Sequence, residues 1–403
     1  MVGALREGIR AWRFPGPSVE GLRSPPGEQP WLGSTVAAKQ EESLLEARIA
    51  LADPSEEGSG SWLMIRDDVV VTTAAIVAFL ELCIPGGKDV RWQIGGRSGN
   101  LVDQLCFGDA GPLLVWLAPG GMVTAERIDA AEPIVVEPKE HEFPLPLPAS
   151  EQGGDMLDLP VTDRLVLPTA HWVQLLWANL LGLPFFFFRK FAGRNVVEVF
   201  FKIGFAVLRA GSIDPARVLA KLGRKGSRCK IHPSAVVEGC WIGDSVTIGA
   251  NAVVRGSILS DGVTIEDLAL VEFSVLSAGS RVQRQGMLKY SVLSPHAAVA
   301  GLVQLGVLAR GASVKRGGAM LDMSFRADQG VQALFNGQLN DVPLGLIGCC
   351  LGENSVVGIG VFVAPGRAIP PDLRIATDAG VLRKIPADAA GTMIVRDGGL
   401  AIP

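Results

Sequence analysis

Ile242-Gly-Asp-Ser-Val-Thr-Ile248-Gly-Ala-Asn-Ala-Val253 contains the pattern that decides the fold of this 403-residue chain. Each half opens with Ile and Gly and continues with small or polar residues, so an aliphatic side chain recurs every six residues. A six-residue step that places one apolar side chain and then turns the chain is typical of a solenoid, in which successive coils stack on each other.

The same spacing extends into longer columns of aliphatic residues. Corresponding residues of successive coils are seventeen apart, divided into steps of six, six and five. Three such columns run in phase: Ile242, Leu259, Leu276 and Leu293; Ile248, Ile265, Val282 and Val299; Val237, Val254, Val271 and Leu288. A strict spacing of six relates a later set: Leu351, Val357, Val363, Ile369 and Ile375. We therefore predict a mainly β protein with a parallel β-helix over residues 231–380, in which three hexapeptide steps close each coil.

This repeat resembles the left-handed parallel β-helix of hexapeptide-repeat proteins. That family includes amino-sugar and lipid A acyltransferases and the C-terminal domains of sugar-1-phosphate nucleotidyltransferases. The resemblance implies a left-handed coil, a homotrimer and a small-molecule substrate that is a sugar or a sugar nucleotide. It also implies acyl-CoA or acyl carrier protein as the acyl donor.

Charge and cysteine content argue against several classes of protein. The net charge of −4 and the pI near 5.7 provide no basic face for phosphates, so we expect no nucleic-acid partner. The six cysteines include no C-x-x-C pair, which argues against a zinc site and against a disulfide framework. The first residues lack a basic region followed by an apolar run, and we therefore expect a cytoplasmic protein.

The part before the repeat predicts a small α/β domain. Residues 1–40 are irregular, and residues 41–140 alternate helical and strand patterns. This part resembles a reduced sugar nucleotidyltransferase domain, because Leu32-Gly33 precedes a helix, a strand ends in Asp67-Asp68, and a helix with Phe79 follows. The G-x-G-x-R loop that holds nucleotide phosphates in those enzymes is missing from residues 1–40. We therefore expect the domain to have lost nucleotidyl transfer.

Asp67 and Asp68 form a pair of carboxylates at the predicted strand end. Carboxylate oxygens are the usual ligands of hard cations, so these two residues are candidate Mg²⁺ ligands. The alternative is a solvated turn, since Mg²⁺ requires further oxygen ligands that the sequence does not identify.

The link between the two parts is rich in proline and then in apolar residues. Residues 141–168 are typical of an extended connector, whereas residues 169–230 contain apolar helices and a basic linker. We expect Thr169 to cap a helix that Pro184 ends. We expect the helices within 172–208 to pack between the two domains or at an oligomer interface, and the alternative, suggested by their aromatic and cationic residues, is peripheral contact with a membrane. This stretch is too interrupted by polar residues and proline to span a bilayer.

His296 is the candidate general base among the four histidines of the chain. The acyltransferases of the family use a histidine to remove a proton from the acceptor, which requires a group that titrates near neutral pH. His296 lies in the middle of the repeat, shortly before the regular spacing stops. The alternative is an inert turn residue, which is also our interpretation of His232 in the first coil.

An interruption between Val314 and Ile347 predicts a loop inserted at residues 315–346. Insertions in solenoids leave from one face, often the binding face, and long loops are commonly functional. Polar residues in or beside this loop are the candidate substrate-binding residues, because such side chains bind phosphate or amide groups: Arg310, Lys315, Arg316, Arg326 and Asn336. Residues 381–403 are expected to fold back and cap the open end of the coil.

These observations leave three functions open. The first is acyl transfer to a sugar or sugar nucleotide with His296 as general base. The second is a non-catalytic scaffold or ligand-sensing protein with a decayed nucleotidyltransferase domain. The third is residual nucleotidyl transfer, which the missing phosphate loop argues against.

Overall fold

The computed structural model describes residues 9–19, 22–52, 60–106, 111–146, 156–192, 223–323, 330–335, 337–342, 345–377, 394–396 and 399–401, and the single positions 204, 207, 208 and 211. These residues form an N-terminal α/β part and a C-terminal β-helix. Of the apolar helices expected within residues 169–230, the part between residues 193 and 222 lies outside the described residues except for these four positions. In the tail, Ile394–Arg396 and Gly399–Ala401 form a short antiparallel pair.

The N-terminal part is built on short strands that precede residue 140: β1 (Ile9–Phe14), β2 (Pro30–Trp31), β3 (Ser34–Thr35), β4 (Ala50–Leu51), β5 (Ser61–Arg66), β6 (Val69–Val71), β7 (Val90–Ile94), β8 (Leu114–Leu117) and β9 (Glu132–Val136). Six of them form a mixed sheet in the order β4-β1-β5-β8-β7-β9. Strand β8 is antiparallel to both of its neighbours, and the other pairs are parallel.

Four helices alternate with these strands: α1 (Val36–Glu46), α2 (Thr73–Cys83), α3 (Gly96–Leu105) and α4 (Ala125–Asp129). Thr35 caps α1, because its hydroxyl accepts the hydrogen bond of the Ala38 N–H at 3.2 Å. Thr72 caps α2 in the same way through Ala75, at 3.3 Å. The alternation of helices and strands confirms the predicted α/β region.

The stretch expected to be an extended connector forms an antiparallel ribbon instead. Strand β10 (Glu140–Pro146) pairs with β11 (Met156–Thr162), and β12 (Val166–Pro168) pairs with β6. Prolines remove ladder hydrogen bonds, so they are tolerated only at sheet edges. A two-stranded ribbon has an outer edge on both strands, which explains how a Pro-rich sequence pairs here.

Helix α5 (Trp172–Ala192) continues through Pro184, so the prediction that this proline ends the helix is wrong. Pro184 lacks the N–H of one intrahelical bond. Leu183 and Phe186 are buried on either side of it, and their packing holds the chain in the helix. No helix among the described residues is both long and apolar enough to cross a membrane.

The C-terminal part consists of three parallel sheets. The strands of the first, which we call the docking sheet, are Arg224–Lys225, Trp241–Ile242, Ile258–Leu259, Val275–Leu276, Val292–Leu293, Val307–Leu308, Cys350–Leu351 and Ala368–Ile369. Those of the second sheet are Lys230–Ile231, Thr247–Ile248, Thr264–Ile265, Arg281–Val282, Ala298–Val299, Ser313–Val314, Val356–Val357 and Arg374–Ile375. Those of the third sheet are Val236–Glu238, Val253–Arg255, Leu270–Glu272, Met287–Lys289, Leu302–Gln304, Ala319–Met320 and Phe362–Val363.

The register of these sheets confirms the predicted β-helix. Ile248 pairs with Ile265, and Ile265 pairs with Val282, so neighbours in a sheet are corresponding residues of successive coils. The aliphatic columns point inward and are buried in one continuous core, with Leu259 and Val254 fully inaccessible. This is the core that the six-residue spacing predicts.

The outward face of the docking sheet is also apolar, and the N-terminal part packs on it. The residues of this outward column share one core with the N-terminal sheet and helices: Trp241, Ile258, Val275, Val292, Val307 and Cys350. The second sheet instead presents polar residues outward, such as Thr247, Thr264 and Arg281. The two parts of the chain are therefore held together by a shared hydrophobic interface.

The insertion begins later than predicted. Ala319–Met320 still pairs with Leu302–Gln304 in the third sheet, so the chain leaves the coil only after residue 320 and returns at Cys350. Its described part contains a hairpin, Gln332–Phe335 and Gln338–Asp341. Within the insertion, Ala333 and Val342 are buried in the interface with the N-terminal part.

Candidate functional site

A cleft of about 780 Å³ lies between the N-terminal part and the β-helix. One wall is the segment that leads into α1, and the opposite wall is a row of turns between the docking sheet and the second sheet, which we call the first corner. The lining residues are Glu28, Pro30, Leu32, Gly33, Ser34, Thr35, Lys39, Glu42, Phe186, Arg224, Trp241, Gly243, Asp244, Ile258, Leu259, Ser260, Asp261, Ser277, Ala278, Pro295 and Arg310.

His296 lies on the first corner, directly after a residue that lines the cleft. Its backbone is left-handed, with φ of 62°, and its side chain is exposed. The imidazole lies over Gly279 of the preceding coil, where a Cβ would come within 2.7 Å of Nδ1. Gly279 itself has φ of +68°, so both the backbone and the ring above it require glycine.

The N-terminal segment follows the first corner over several coils. The Ser260 hydroxyl donates a hydrogen bond to the Gly33 carbonyl at 3.3 Å. Farther along, Glu353 Oε1 accepts hydrogen bonds from the backbone N–H groups of Arg23 and Ser24, at 2.8 and 3.0 Å. Arg23 also forms an ion pair with Asp372. These polar contacts fix the wall of the cleft that the N-terminal part supplies.

Two cations and two aromatic rings form one end of the cleft. The Arg224 guanidinium lies 4.9 Å from the centre of the Trp241 ring, and the Phe186 ring contacts Trp241 edge-on at 5.5 Å. Lys39 Nζ lies 5.6 Å from the Phe186 ring and 2.6 Å from a Glu42 carboxylate oxygen. The rings hold both cations by cation–π attraction, which positions positive charge beside an apolar surface.

Two aspartates of the first corner cap the turns of the coil that precedes them. Asp244 Oδ1 accepts from the Ser227 N–H at 2.8 Å, and Asp261 Oδ1 accepts from the Asp244 N–H at 2.7 Å. The bond from Ser227 and the nearby arginines lower the pKa of Asp244. Asp244 is therefore ionised at neutral pH, and its carboxylate keeps acceptor capacity beyond its hydrogen bonds with Ser227.

The structure separates the predicted binding residues. Arg310 lies on the first corner and lines the cleft, one coil after Pro295 and His296. Lys315 and Arg316 are exposed in the turn between the second and third sheets, on a different corner of the coil. Arg326 and Asn336 lie outside the described residues. We expect these five residues to lie together only if the insertion begins at residue 315. The chain leaves the coil after residue 320, so Lys315 and Arg316 still belong to a coil turn.

The predicted ligands of Mg²⁺ are engaged by the protein itself. Asp67 Oδ1 accepts from the Gly16 N–H at 2.7 Å. Asp68 is fully buried and forms an ion pair with Arg66, whose Nη2 lies 3.0 Å from Oδ2, and burial raises the pKa of Asp68. Within the described part of the chain, no three His, Cys, Asp or Glu side chains are grouped to hold a metal ion. The Mg²⁺ prediction thus gains no support here.

The apolar helix expected to contact either a membrane or another domain is largely interior. Trp172, Leu176 and Trp177 of α5 are buried in the core that the N-terminal part shares with the docking sheet. At the start of α5, His171 bonds the Leu334 carbonyl of the insertion hairpin at 3.1 Å. For the described residues of 172–208 up to Phe186, packing between the domains is therefore the better interpretation.

Sequence reasoning missed the cleft because its two walls are more than 200 residues apart along the chain. One signal was available. Trp241, Ile258 and Val275 precede the inward residues of their strands by one position and are as apolar as those residues. A strand that is apolar on both faces predicts a partner on the outer face.

Comparison with known proteins agrees with the fold of the repeat. Residues 214–317 match the family described as GlmU-like, C-terminal hexapeptide. A search of curated protein sequences finds none that matches the chain.

Among solved structures, 92 chains match. One is the acetyltransferase domain of PglB from Neisseria gonorrhoeae, at 16% identity over 32% of this chain, with a TM-score of 0.19. The chain spans about half of that structure, 52% of its length. Another is a Bacillus cereus protein named as an inferred acetyltransferase, at 16% identity over 36% of this chain and 79% of that one, with a TM-score of 0.13. From the family match and the three parallel sheets, the C-terminal part of the chain is a hexapeptide-repeat left-handed parallel β-helix, similar to those of GlmU-like proteins.

Proposed function

We propose that the protein is an acyltransferase in which His296 is the general base. One observation carries this proposal: the imidazole is exposed on the first corner, and the neighbouring Ala278, Pro295 and Arg310 line the interdomain cleft. A general base must reach the acceptor from an open site, and a neutral imidazole nitrogen can accept the acceptor's proton.

The reaction balances as a single acyl transfer. His296 removes the proton from an acceptor hydroxyl or amine, whose oxygen or nitrogen then bonds to the thioester carbonyl carbon. The carbon–sulfur bond breaks, and the proton passes from His296 to the leaving thiolate. The donor is acyl-CoA or acyl carrier protein, and the acceptor is a sugar or sugar nucleotide. Exposed cations near the base, Arg310 above all, would bind phosphate groups.

Assembly and location complete the proposal. We expect a cytoplasmic homotrimer in which donor sites lie between the β-helices. Arg316 and Lys315 are exposed in the turn between the second and third sheets and remain candidates for contact with a donor bound there. The outer column of the third sheet includes exposed apolar residues such as Phe362, which supports contact with another copy.

The decisive experiment compares wild type with His296→Ala in thiol release from acetyl-CoA, over a panel of sugar acceptors. Loss of a general base should lower kcat by about 10²–10⁴-fold. His232→Ala is the matched control, because His232 lies in a coil turn away from the cleft and should leave the rate unchanged. An active His296→Ala enzyme would show that this histidine is not the base.

A non-catalytic scaffold is the second candidate. The observation that favours it is the extended apolar interface between the N-terminal part and the docking sheet. This candidate predicts no thiol release with any acceptor, and no pyrophosphate from a sugar 1-phosphate, a nucleoside triphosphate and Mg²⁺. Pyrophosphate release would instead support residual nucleotidyl transfer.

A further inference from the structure

The first coil of the β-helix, residues 223–239, forms an open end. It supplies the outermost strand of each of the three sheets: Arg224–Lys225, Lys230–Ile231 and Val236–Glu238. Among the described strands, each of these pairs only with the strand of the following coil. Solenoids usually close such an end with a capping element whose outer face is polar. The composition of this end therefore determines what can bind to it.

Half-buried apolar side chains lie at the centre of the open end. Ile231 and Val237 occupy inward positions of their strands, as the aliphatic columns do, but they are only half-buried. Lys225 also occupies an inward position, opposite Ile242, and its side chain is exposed. A lysine at such a position can lay its aliphatic stem over the core and keep its ammonium group in water. Apolar and cationic groups therefore lie side by side at this end.

The open end is also strongly basic. Four exposed cations lie within the first coil: Arg224, Lys225, Arg228 and Lys230. Glu238 is the one acidic residue of this coil, so its formal charge is +3, although the whole chain carries −4. Glu238 is paired with Arg255, and Asp244 of the second coil faces Arg224 and Arg228. Within the described residues, Lys225 and Lys230 form no ion pair.

The charge of the third coil distinguishes between two classes of polyanion. Residues 257–273 contain no cation and four carboxylates: Asp261, Glu266, Asp267 and Glu272. This coil lies two strand spacings, about 10 Å, from the first. A nucleic-acid duplex that extends along the β-helix to gain phosphate contacts would meet these carboxylates. A planar bilayer on the open end contacts the first coil instead, and salt screens charges that lie more than about 8 Å away.

We infer that the open end of the β-helix docks on an anionic lipid bilayer. Ile231 and Val237 face the boundary of the acyl chains, and the four cations contact the lipid phosphates. Clusters of four to eight Lys or Arg residues are typical of proteins that recognise anionic lipids, and an apolar surface beside them strengthens binding. This surface is separate from the buried apolar residues of α5. The inference is independent of acyl transfer, because it concerns docking alone.

Sedimentation of the full chain with lipid vesicles tests the inference. The probes are vesicles of phosphatidylcholine alone and of phosphatidylcholine with about 30% phosphatidylglycerol. We expect binding to the anionic vesicles only, and weaker binding when NaCl is raised from about 0.1 to about 0.5 M. Lys225→Gln/Lys230→Gln removes two exposed cations from the open end. It should lower the partition coefficient about thirtyfold, at about fivefold for each cation.

Lys315→Gln/Arg316→Gln is the matched control. It also removes two exposed cations, but they lie five strand spacings, about 24 Å, farther along the axis, so binding should equal that of wild type. Arg228→Gln, in an exposed turn, is a second test variant that leaves the strands unchanged and should weaken binding about fivefold.

Four results would overturn the inference. The first is no binding to either kind of vesicle, and the second is equal binding to both. The third is equal affinity for anionic vesicles in the open-end variants and in the control variant, which would place any membrane contact elsewhere. The fourth is tighter binding of a DNA duplex than of anionic vesicles, lost in Lys225→Gln/Lys230→Gln, which would assign the open end to nucleic acid.

Discussion

Acid should weaken the contact between the insertion hairpin and α5, because that contact depends on a neutral histidine. His171 is fully buried, and its ring packs on Phe335 at 5.3 Å between centroids. Nδ1 accepts from the Val173 N–H at 3.3 Å, so the proton of the neutral ring lies on Nε2 and is donated to the Leu334 carbonyl at 3.1 Å. A second proton on the ring would sit on Nδ1 and face the Val173 N–H, so that two hydrogen-bond donors would oppose each other.

The size of the effect follows from the pKa of His171, which burial lowers from 6.5 to about 4. Below pH 6.5 the unfolded chain binds a proton at this position and the folded chain does not. The free energy of unfolding therefore decreases as the pH is lowered from about 6.5 to about 4. A depression of this size corresponds to about 3 kcal/mol over the whole interval, at about 1.4 kcal/mol for each pH unit.

Urea unfolding of wild type and His171→Gln at several pH values between 7.5 and 4 measures the contribution of His171 to the free energy of unfolding. Wild type should be the more stable protein at pH 7.5, and the difference should shrink as the pH falls. Asn179→Ala is the control, since Asn179 is buried in α5 and does not titrate, so its deficit should stay constant. A His171→Gln deficit that is equally independent of pH would refute the reasoning.

Three further predictions concern the interface and the buried charges. Ile258→Ala removes a buried side chain from the shared core and should lower the free energy of unfolding by about 2–5 kcal/mol, whereas Leu268→Ala, at a site 51% exposed, should change it by less than about 0.5 kcal/mol. Glu353→Ala leaves the N–H groups of the N-terminal segment without their acceptor and should cost about 1–3 kcal/mol, together with faster proteolysis near residue 23. Asp68→Asn leaves Arg66 without its charged partner and should cost about 3–5 kcal/mol, measured by urea unfolding at pH 7.

The coil could be predicted from the sequence because every coil places the same types of residue at the same positions. Each inward position, such as Ile248 or Ile265, is set by contacts with residues seventeen away, and the same solution recurs in every coil. A periodic spacing of aliphatic residues can be recognised without knowing which distant parts of the chain are in contact. The α/β character of the first part was predictable for a similar reason, since Thr35 and Thr72 mark helix starts within a few residues.

The candidate site could not be predicted to the same degree, because it depends on contacts that occur once. No repeated pattern relates Gly33 to Ser260 or Arg23 to Glu353, and these contacts create the cleft. The insertion was expected to contact a ligand. That contact stays a prediction: the described hairpin meets the start of α5 through His171, and Ala333 is buried in the shared core.

The two polar contacts of the N-terminal segment attach it to the β-helix at two points, and its length sets the distance between those points along the axis. Solenoids normally gain or lose whole coils without penalty to the remaining ones. Here Gly33 is attached at the coil of Ile258 and Arg23 at that of Cys350, four strand spacings or about 19 Å farther along the axis. Deleting one seventeen-residue coil would move these attachment points about 5 Å closer and leave one contact unmade. The number of coils between these two attachment points is therefore fixed by a segment that lies outside the repeat.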